Sequence, residues 1–242
     1  MRSVTIKIPI LKVIHSFVNS TAMDKEAIQI NIVNKKVLIK DKNHEDTVIF
    51  ALLSEEQIAD SEEEITIPIV VKDLKSIIDL ADNEDITFEV DKGTTICKVG
   101  KIRRKIPQPI DVDYVAKKFK IDYKASIQLS NADIKYIAKA LKTDESASVK
   151  LSARTSGEFI LSVDCFGRNT EVRFDGESLK DSKIEEDVDI IILSEYFLPL
   201  FRAKTDDAVF TINIVNNKPV KLSLDSDIYK AYMYIAPSIA GN

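Results

Sequence analysis

The residues of this chain best placed to do chemistry are cations at helical spacing. Lys135, Lys139 and Lys142 fall at i, i+4 and i+7, on a different face from a stripe of Ile134, Ile137, Ala138 and Leu141. Three other helix-like stretches carry similar charges: Lys12 with His15 and Asn19 nearby, Lys72 with Lys75, and Arg202 with Lys204. On one helix, lysines on the wet side need no function. Four such helices set side by side would share a field suited to backbone phosphates, because Lys and Arg make sequence-blind contacts and release counterions. The same stretches hold Asp73, Asp79, Asp133 and Glu195, so the expectation is loose rather than tight static binding of a polyanion.

Catalytic chemistry is poorly supplied. His15 and His44 are the two histidines, neither within a nucleophile motif, and His15 is expected on the polar side of its helix. The six glycines are scattered singly, which excludes a phosphate-cradling loop of the dinucleotide or P-loop kind. Cys97 and Cys165 sit in strand-like runs, away from basic or helix-terminal settings that would activate a thiol. They are too isolated for a metal cage or a disulfide framework, so neither a metal nor a cofactor is expected. Paired carboxylates abound, and a hydrolase using the acidic residues of 41–64 is the enzymatic alternative; it lacks histidine, glycine-loop and metal-ligand support.

The elements that must position these residues form a repeat. Four times, a strand-like stretch hands over to an amphipathic helix, with starts near Leu11, Val70, Ser130 and Ser194, at intervals of about sixty residues. Two or three strands follow each helix: in the first unit 27–34, 35–41 and 47–53, in the second 85–91 and 94–102. The third continues through 147–153, 158–164 and 169–175, the fourth through 208–215, 218–225 and 229–237. The third unit opens on a strand within 119–129, and Ser130 is placed to cap the helix that follows, spanning 130–142. A repeat at this period means units that share sheets or layers to bury their apolar faces.

With 242 residues, 45% of them hydrophobic and 30% charged, the chain reads as a globular α+β protein of two similar domains, each built from two such units. The domains are expected at 1–103 and 119–242, joined by a connector at 104–118. There Pro107 and Pro109 remove backbone donors and oppose continuous pairing. Ile106, Ile110, Val112, Tyr114 and Val115 make that connector too apolar for a purely solvated linker. They either pin it to the protein's own sheet or offer partners a docking surface.

The net charge is -5, but its distribution matters more than its sum. Residues 41–64 carry nine acids against Lys42, whereas 98–105 hold Lys98, Lys101, Arg103, Arg104 and Lys105 without an acid. No apolar run approaches the roughly 18 residues of a spanning helix. The opening MRSVTIKIPI alternates as a strand does and lacks a signal peptide's core. An intracellular, reducing compartment without membrane contact is therefore expected.

Several segments resemble the proliferating cell nuclear antigen (PCNA) type of DNA sliding clamp, found in archaea, eukaryotes and some of their viruses. They are YIAPSI at 234–239, NKPVKLSLD before it, ADNEDITFEV at 81–90 and ILK at 10–12. The resemblance implies a non-enzymatic ring of three subunits, with helices lining a central hole, antiparallel sheets outside, and duplex DNA passing through. By that pattern Lys12, Lys139 and Arg202 match pore positions; Lys72, Lys75, Lys135, Lys142 and Lys204 are added from face geometry. Ser76 and Asp79 depart from it, standing where many eukaryotic clamps carry lysine, and Pro199 inside the fourth helix is expected to kink it.

The same resemblance implies a groove for partner peptides, at Val48, Ile110, Val112, Tyr114, Pro219, Tyr234, Ala236 and Pro237. Its partners would be DNA polymerase, a clamp loader of the replication factor C type, flap endonuclease and DNA ligase. Ring closure would pair edge strands at 95–102 and 169–175. The cations of 98–105 would touch either DNA or a neighbouring subunit. The function implied is a processivity factor in replication and repair, in an archaeal cytoplasm, a nucleus or a virus-infected cell. The alternative is a checkpoint or repair paralogue in a heteromeric ring; the absence of a long tail beyond the Ala-Pro pair favours the replicative form.

Overall fold

The structure, a computed structural model, describes residues 2–19, 26–42, 47–55, 57, 59–61, 63–109, 119–141, 147–165 and 167–238. Lys142, Ile110, Val112, Tyr114 and His44 therefore lie outside the described residues.

The first half runs β1 (Arg2–Ile6), α1 (Ile8–Val18), β2 (Ala27–Val33), β3 (Lys36–Lys42), β4 (Val48–Ser54), β5 (Ile65–Val70), α2 (Val71–Ala81), β6 (Ile86–Asp91), β7 (Thr94–Val99) and β8 (Ile102–Pro107). The second half repeats the scheme with β9 (Ala125–Leu129), α3 (Asn131–Leu141), β10 (Ser148–Arg154), β11 (Glu158–Cys165), β12 (Arg168–Asp175), a short β13 (Lys183–Ile184) and β14 (Val188–Leu193). It ends with α4 (Leu198–Ala203), β15 (Val209–Ile214), β16 (Val220–Asp225) and β17 (Tyr229–Ile235). Alternating sequence gives alternating burial, as in β2 and β3, where every second side chain enters the core. Asn34 and Lys35, with φ of 51° and 63°, make the two-residue turn that matches strand twist between β2 and β3.

Local chemistry moves several boundaries from their expected places. The first helix begins at Ile8 rather than near Leu11, because Pro9 fits the first turn, where a missing N–H costs nothing. At α3, the Asp133 N–H donates to Ser130 Oγ (3.2 Å) and the Ser130 N–H donates to Asp133 Oδ2 (3.1 Å), a reciprocal cap. Its buried stripe uses Ala140 where Ala138 was expected. The fourth helix is split into a 3-10 turn, Ser194–Phe197, and α4. Pro199 lies in the first turn of α4 and does not kink a longer helix, because no continuous helix precedes it. The strand expected over 94–102 is a hairpin folded at Gly100, whose φ of 52° suits glycine. Its second arm, β8, runs to Pro107, so residues 104–107 of the expected connector belong to a sheet. Before β9, residues 119–124 are not strand.

The ladders are antiparallel and form three sheets, in the orders β1-β6-β7-β8, β12-β11-β10-β14 and β13-β9-β15-β16-β17-β4-β3-β2-β5. The third runs through both halves. It contains two four-strand sets, β9-β15-β16-β17 and β4-β3-β2-β5, whose counterparts are the two separate sheets. The halves join where β17 pairs with β4, from Tyr229 opposite Ser54 to Ile235 opposite Val48. Phe50, Leu52, Ala231 and Met233 are buried along this seam. The counterparts of the joined strands, β8 and β12, are left as outer edges. The edge expected at 95–102 is therefore corrected to β8, since β7 is flanked by β6 and β8; the edge expected at 169–175 lies in β12.

Candidate functional site

The helices lie in the order α2, α1, α4, with α3 linked to the end of α4 by a side-chain hydrogen bond. α1 packs against both α2 and α4. Arg202 Nη1 donates to the Asn19 carbonyl at the end of α1 (3.0 Å), and Lys204 Nζ donates to Asn131 Oδ1 at the start of α3 (3.1 Å). Lys12 Nζ donates to Asn83 Oδ1 just past α2 (2.8 Å). Amphipathic spacing leaves the outward side of each helix polar, so Lys12, Lys72, Lys75, Lys135, Lys139 and Arg202 are exposed and Lys204 is half-buried. Among the described residues Lys72, Lys75 and Lys135 have no ion pair, and Lys139 sits over the Tyr136 ring at 5.8 Å.

The acids on these helices are partly occupied. Asp133 serves the α3 cap, and Asp73 lies 3.8 Å from Arg104. Half-buried His15 faces α2: burial first, then the charge of Lys75, lower its pKa, and Asp79 opposes them. A neutral imidazole is consequently favoured there, so His15 adds little to the cationic layer near pH 7.

The basic run at 98–105 does not join this layer as a block. Lys98 bonds to Glu89 within its own sheet, and Arg104 reaches Ser76 and Asp73 on α2. Lys101, Arg103 and Lys105 are exposed at the end of the sheet where β8 is unpaired.

The groove residues are only partly brought together. Val48 is 0% exposed, because strand alternation turns it into the core; this corrects its placement on the groove. Ile49 takes the outward position, directly opposite Tyr234. Tyr234 contacts Phe119 (ring centroids 5.0 Å) and Tyr232 (5.6 Å), and Lys221 Nζ lies 5.4 Å from the Tyr232 ring. A cavity of about 560 Å³ opens here, lined by Phe119, Ile121, Tyr123, Asn213, Lys221 and Tyr234. The Tyr123 hydroxyl is buried with no hydrogen-bond partner, and burial, then Tyr234, raise its pKa.

Pro237 lies apart from that cavity. It lines a second one of about 570 Å³ with Ile190, Ile191, Lys150, Asp189, Asn217 and Ser238. The Ala236 N–H donates to the Thr47 carbonyl and the Ser238 N–H to that of Ile191, each at 2.8 Å, which ties the C-terminal strand end to both halves. Pro219 is half-buried just before β16. Asp189 is held well below the usual carboxylate range by the Arg154 guanidinium, with Ser152 and Lys150 adding hydrogen bonds and burial opposing. Sequence reasoning missed Phe119, Tyr123, Tyr232, Lys221 and Ile49. The alternation of β17 was a signal for Tyr232, since it shares a face with Tyr234.

No helix among the described residues is long and apolar enough to cross a membrane. No protein-family model and no curated protein matches the sequence. Solved structures do. The fold is that of a DNA sliding clamp, and specifically of the PCNA type. PCNA of A. fulgidus, solved with the C-terminal region of FEN-1 bound, superposes with a TM-score of 0.83 over 100% of both chains at 16% identity. PCNA of Entamoeba histolytica gives 0.79 over 98% of each chain at 15% identity. The PCNA2-PCNA3 complex of Sulfolobus tokodaii gives 0.78, over 98% of this chain and 99% of that one, also at 15%.

Proposed function

We propose that this chain is a non-enzymatic DNA sliding clamp, which encircles duplex DNA as a trimeric ring and tethers DNA polymerase as a processivity factor. The observation that carries the reading is the row of helices on which, among the described residues, Lys72, Lys75 and Lys135 have no ion pair, set on a clamp fold in which β8 and β12 are each an edge of their sheet. Lysines of this kind hold phosphates without reading bases, so the duplex slides. Retention comes from topology and not from affinity. Tethering makes each later polymerase encounter intramolecular, at high effective concentration.

Partner tails dock on the aromatic cavity around Tyr234 and Phe119, where an apolar helical turn finds a seat. The family resemblance would add Ile110, Val112 and Tyr114 of the connector to this groove, with Pro219 and Ala236 beside it; residues up to Pro107 belong to β8, and Pro237 lines the separate cavity. Clamp loader, flap endonuclease and ligase share the groove; the FEN-1 segment bound to the A. fulgidus clamp supports the flap endonuclease. The protein works inside the cell. A heteromeric ring of checkpoint or repair paralogues is the second reading, supported by likeness to the PCNA2-PCNA3 complex.

The test is retention on DNA. Loaded protein stays on closed circular duplex in moderate salt and leaves when the circle is cut. Equal loss from circular and linear templates overturns the proposal.

A further inference from the structure

On the outer face of the nine-stranded sheet one row of side chains crosses four strands. Asn213 on β15, Lys221 on β16, Tyr234 on β17 and Ile49 on β4 each stand opposite the next in its ladder. Strand spacing of about 4.8 Å thus sets a polar pair directly beside an apolar one. Phe119, 36% exposed, lies against Tyr234 and extends the apolar side. The cavity at Tyr234 opens over Asn213 and Lys221 as well. Its apolar side accounts for the docking of a hydrophobic turn; its polar side asks for something more.

That polar side is rich in donors and poor in acceptors. Asp122 is the one acid among the lining residues, and Lys124 meets it at 2.7 Å. Lys120 and Lys221 have no ion pair among the described residues. The Tyr232 ring lies 5.4 Å from Lys221 Nζ, a contact that steadies the ammonium without neutralising it. The Tyr123 hydroxyl has no hydrogen-bond partner, and burial raises the pKa of both Tyr123 and Tyr234, so neither phenol becomes an anion that competes for Lys221.

We propose that the groove selects protein segments in which a carboxylate side chain stands next to the docking apolar turn, and that Lys221 is the residue that selects them. This selection rests on the groove reading and adds the chemistry of the partner. The apolar side chains of the segment seat on Tyr234, Ile49 and Phe119. The carboxylate stands one strand over, on Lys221, with the Asn213 amide as a second donor and Lys120 at the rim. The same cations repel a segment that carries lysine at that place, so discrimination has both an attractive and a repulsive part. Lys120, Asn213 and Lys221 are not among the positions that the resemblance to sliding clamps implies, and the preference is a property of this chain.

The experiment is peptide binding to the full chain, followed by fluorescence anisotropy. The probes are synthetic peptides that share one helical turn of Leu and Phe and carry Glu, Gln or Lys at one of the four places flanking it. At the best place the Glu peptide is expected to bind about tenfold more tightly than the Gln peptide, and the Lys peptide more weakly than either. Lys221→Gln abolishes the difference between Glu and Gln, and Lys221→Glu makes the Lys peptide the best binder. Added salt shrinks the preference. Tyr234→Ala, with its fold checked by circular dichroism, weakens all three peptides alike. Peptides that bind equally whatever their charge, yet need Tyr234, overturn the selection and leave the groove standing. Peptides that do not bind, or bind regardless of Tyr234, overturn the groove and the selection together. The connector's own Asp111 and Asp113 are the rival occupants of Lys221. Equal thermal destabilisation by Lys221→Gln and by Asp111→Asn with Asp113→Asn, with no further loss on combining them, overturns selection of a partner in favour of the connector.

Discussion

The seam inside the chain and the two open edges use the same strands of the repeat, but differ at the positions that face the core. Along the seam those positions are Val48, Phe50 and Leu52 against Ala231, Met233 and Ile235, all buried. At the open edges the corresponding residues are Arg168, Thr170 and Val172 on β12, and Ile102, Arg104 and Ile106 on β8. Polar and charged groups interrupt what is a continuous apolar strip in the seam. A permanent junction is built like a domain core; an edge that must stay soluble while unpaired carries inward-facing charge. Arg104 shows how this is tolerated, since it turns to Ser76 and Asp73 on α2. The contrast predicts that any joint between copies is weaker than the seam.

Substitutions on the two sides test that contrast. Phe50→Ala in the seam costs about 3–5 kcal/mol of chain stability. Val172→Ala costs the isolated chain under about 1 kcal/mol, since its site is already partly open. Denaturant unfolding of both variants measures this, and equal costs would erase the distinction.

The helices repeat the lesson. α1 is packed on both flanks and has no side-chain cap at Lys7, whereas α3 depends on the Ser130–Asp133 box. Ser130→Ala is expected to cost about 1 kcal/mol and Lys7→Ala close to nothing. Reversing Lys135, Lys139 and Lys142 to glutamate is expected to lower processivity in a polymerase assay without unfolding the chain; unchanged synthesis would remove these lysines from the DNA face. The smallest effect concerns His15. Its folded pKa is below 6.5, so its contribution to stability is full above that pH and is lost as pH falls through the folded value. Replacing His15 with asparagine should flatten the stability profile below pH 6.5 and leave it unchanged at pH 8.

Much of the fold was legible because it is periodic. Strand alternation and the roughly sixty-residue spacing of helix starts placed all four helical segments and the main strands apart from β8, which was read as one strand with β7. Boundaries failed where a single residue decides: Pro9 in the first turn of α1, Gly100 at the β7–β8 hairpin, and the 3-10 turn before Pro199. The cationic face was readable from i, i+4 spacing at Lys135 and Lys139. The groove was less so, because its aromatic members come from segments far apart in sequence, Phe119 and Tyr123 beside Tyr234. Val48 shows the cost of a one-residue slip, which moves a side chain from one face of a strand to the other. The seam between β4 and β17 joins strands too distant in sequence for any local pattern to announce.

The most direct measurement is the native mass of the purified chain across micromolar concentrations, because everything proposed for DNA needs the open edges to close on further copies. The account predicts an assembly of three chains of 27.2 kDa that dissociates on dilution sooner than the chain unfolds. A monomer of 27.2 kDa throughout that range would contradict it.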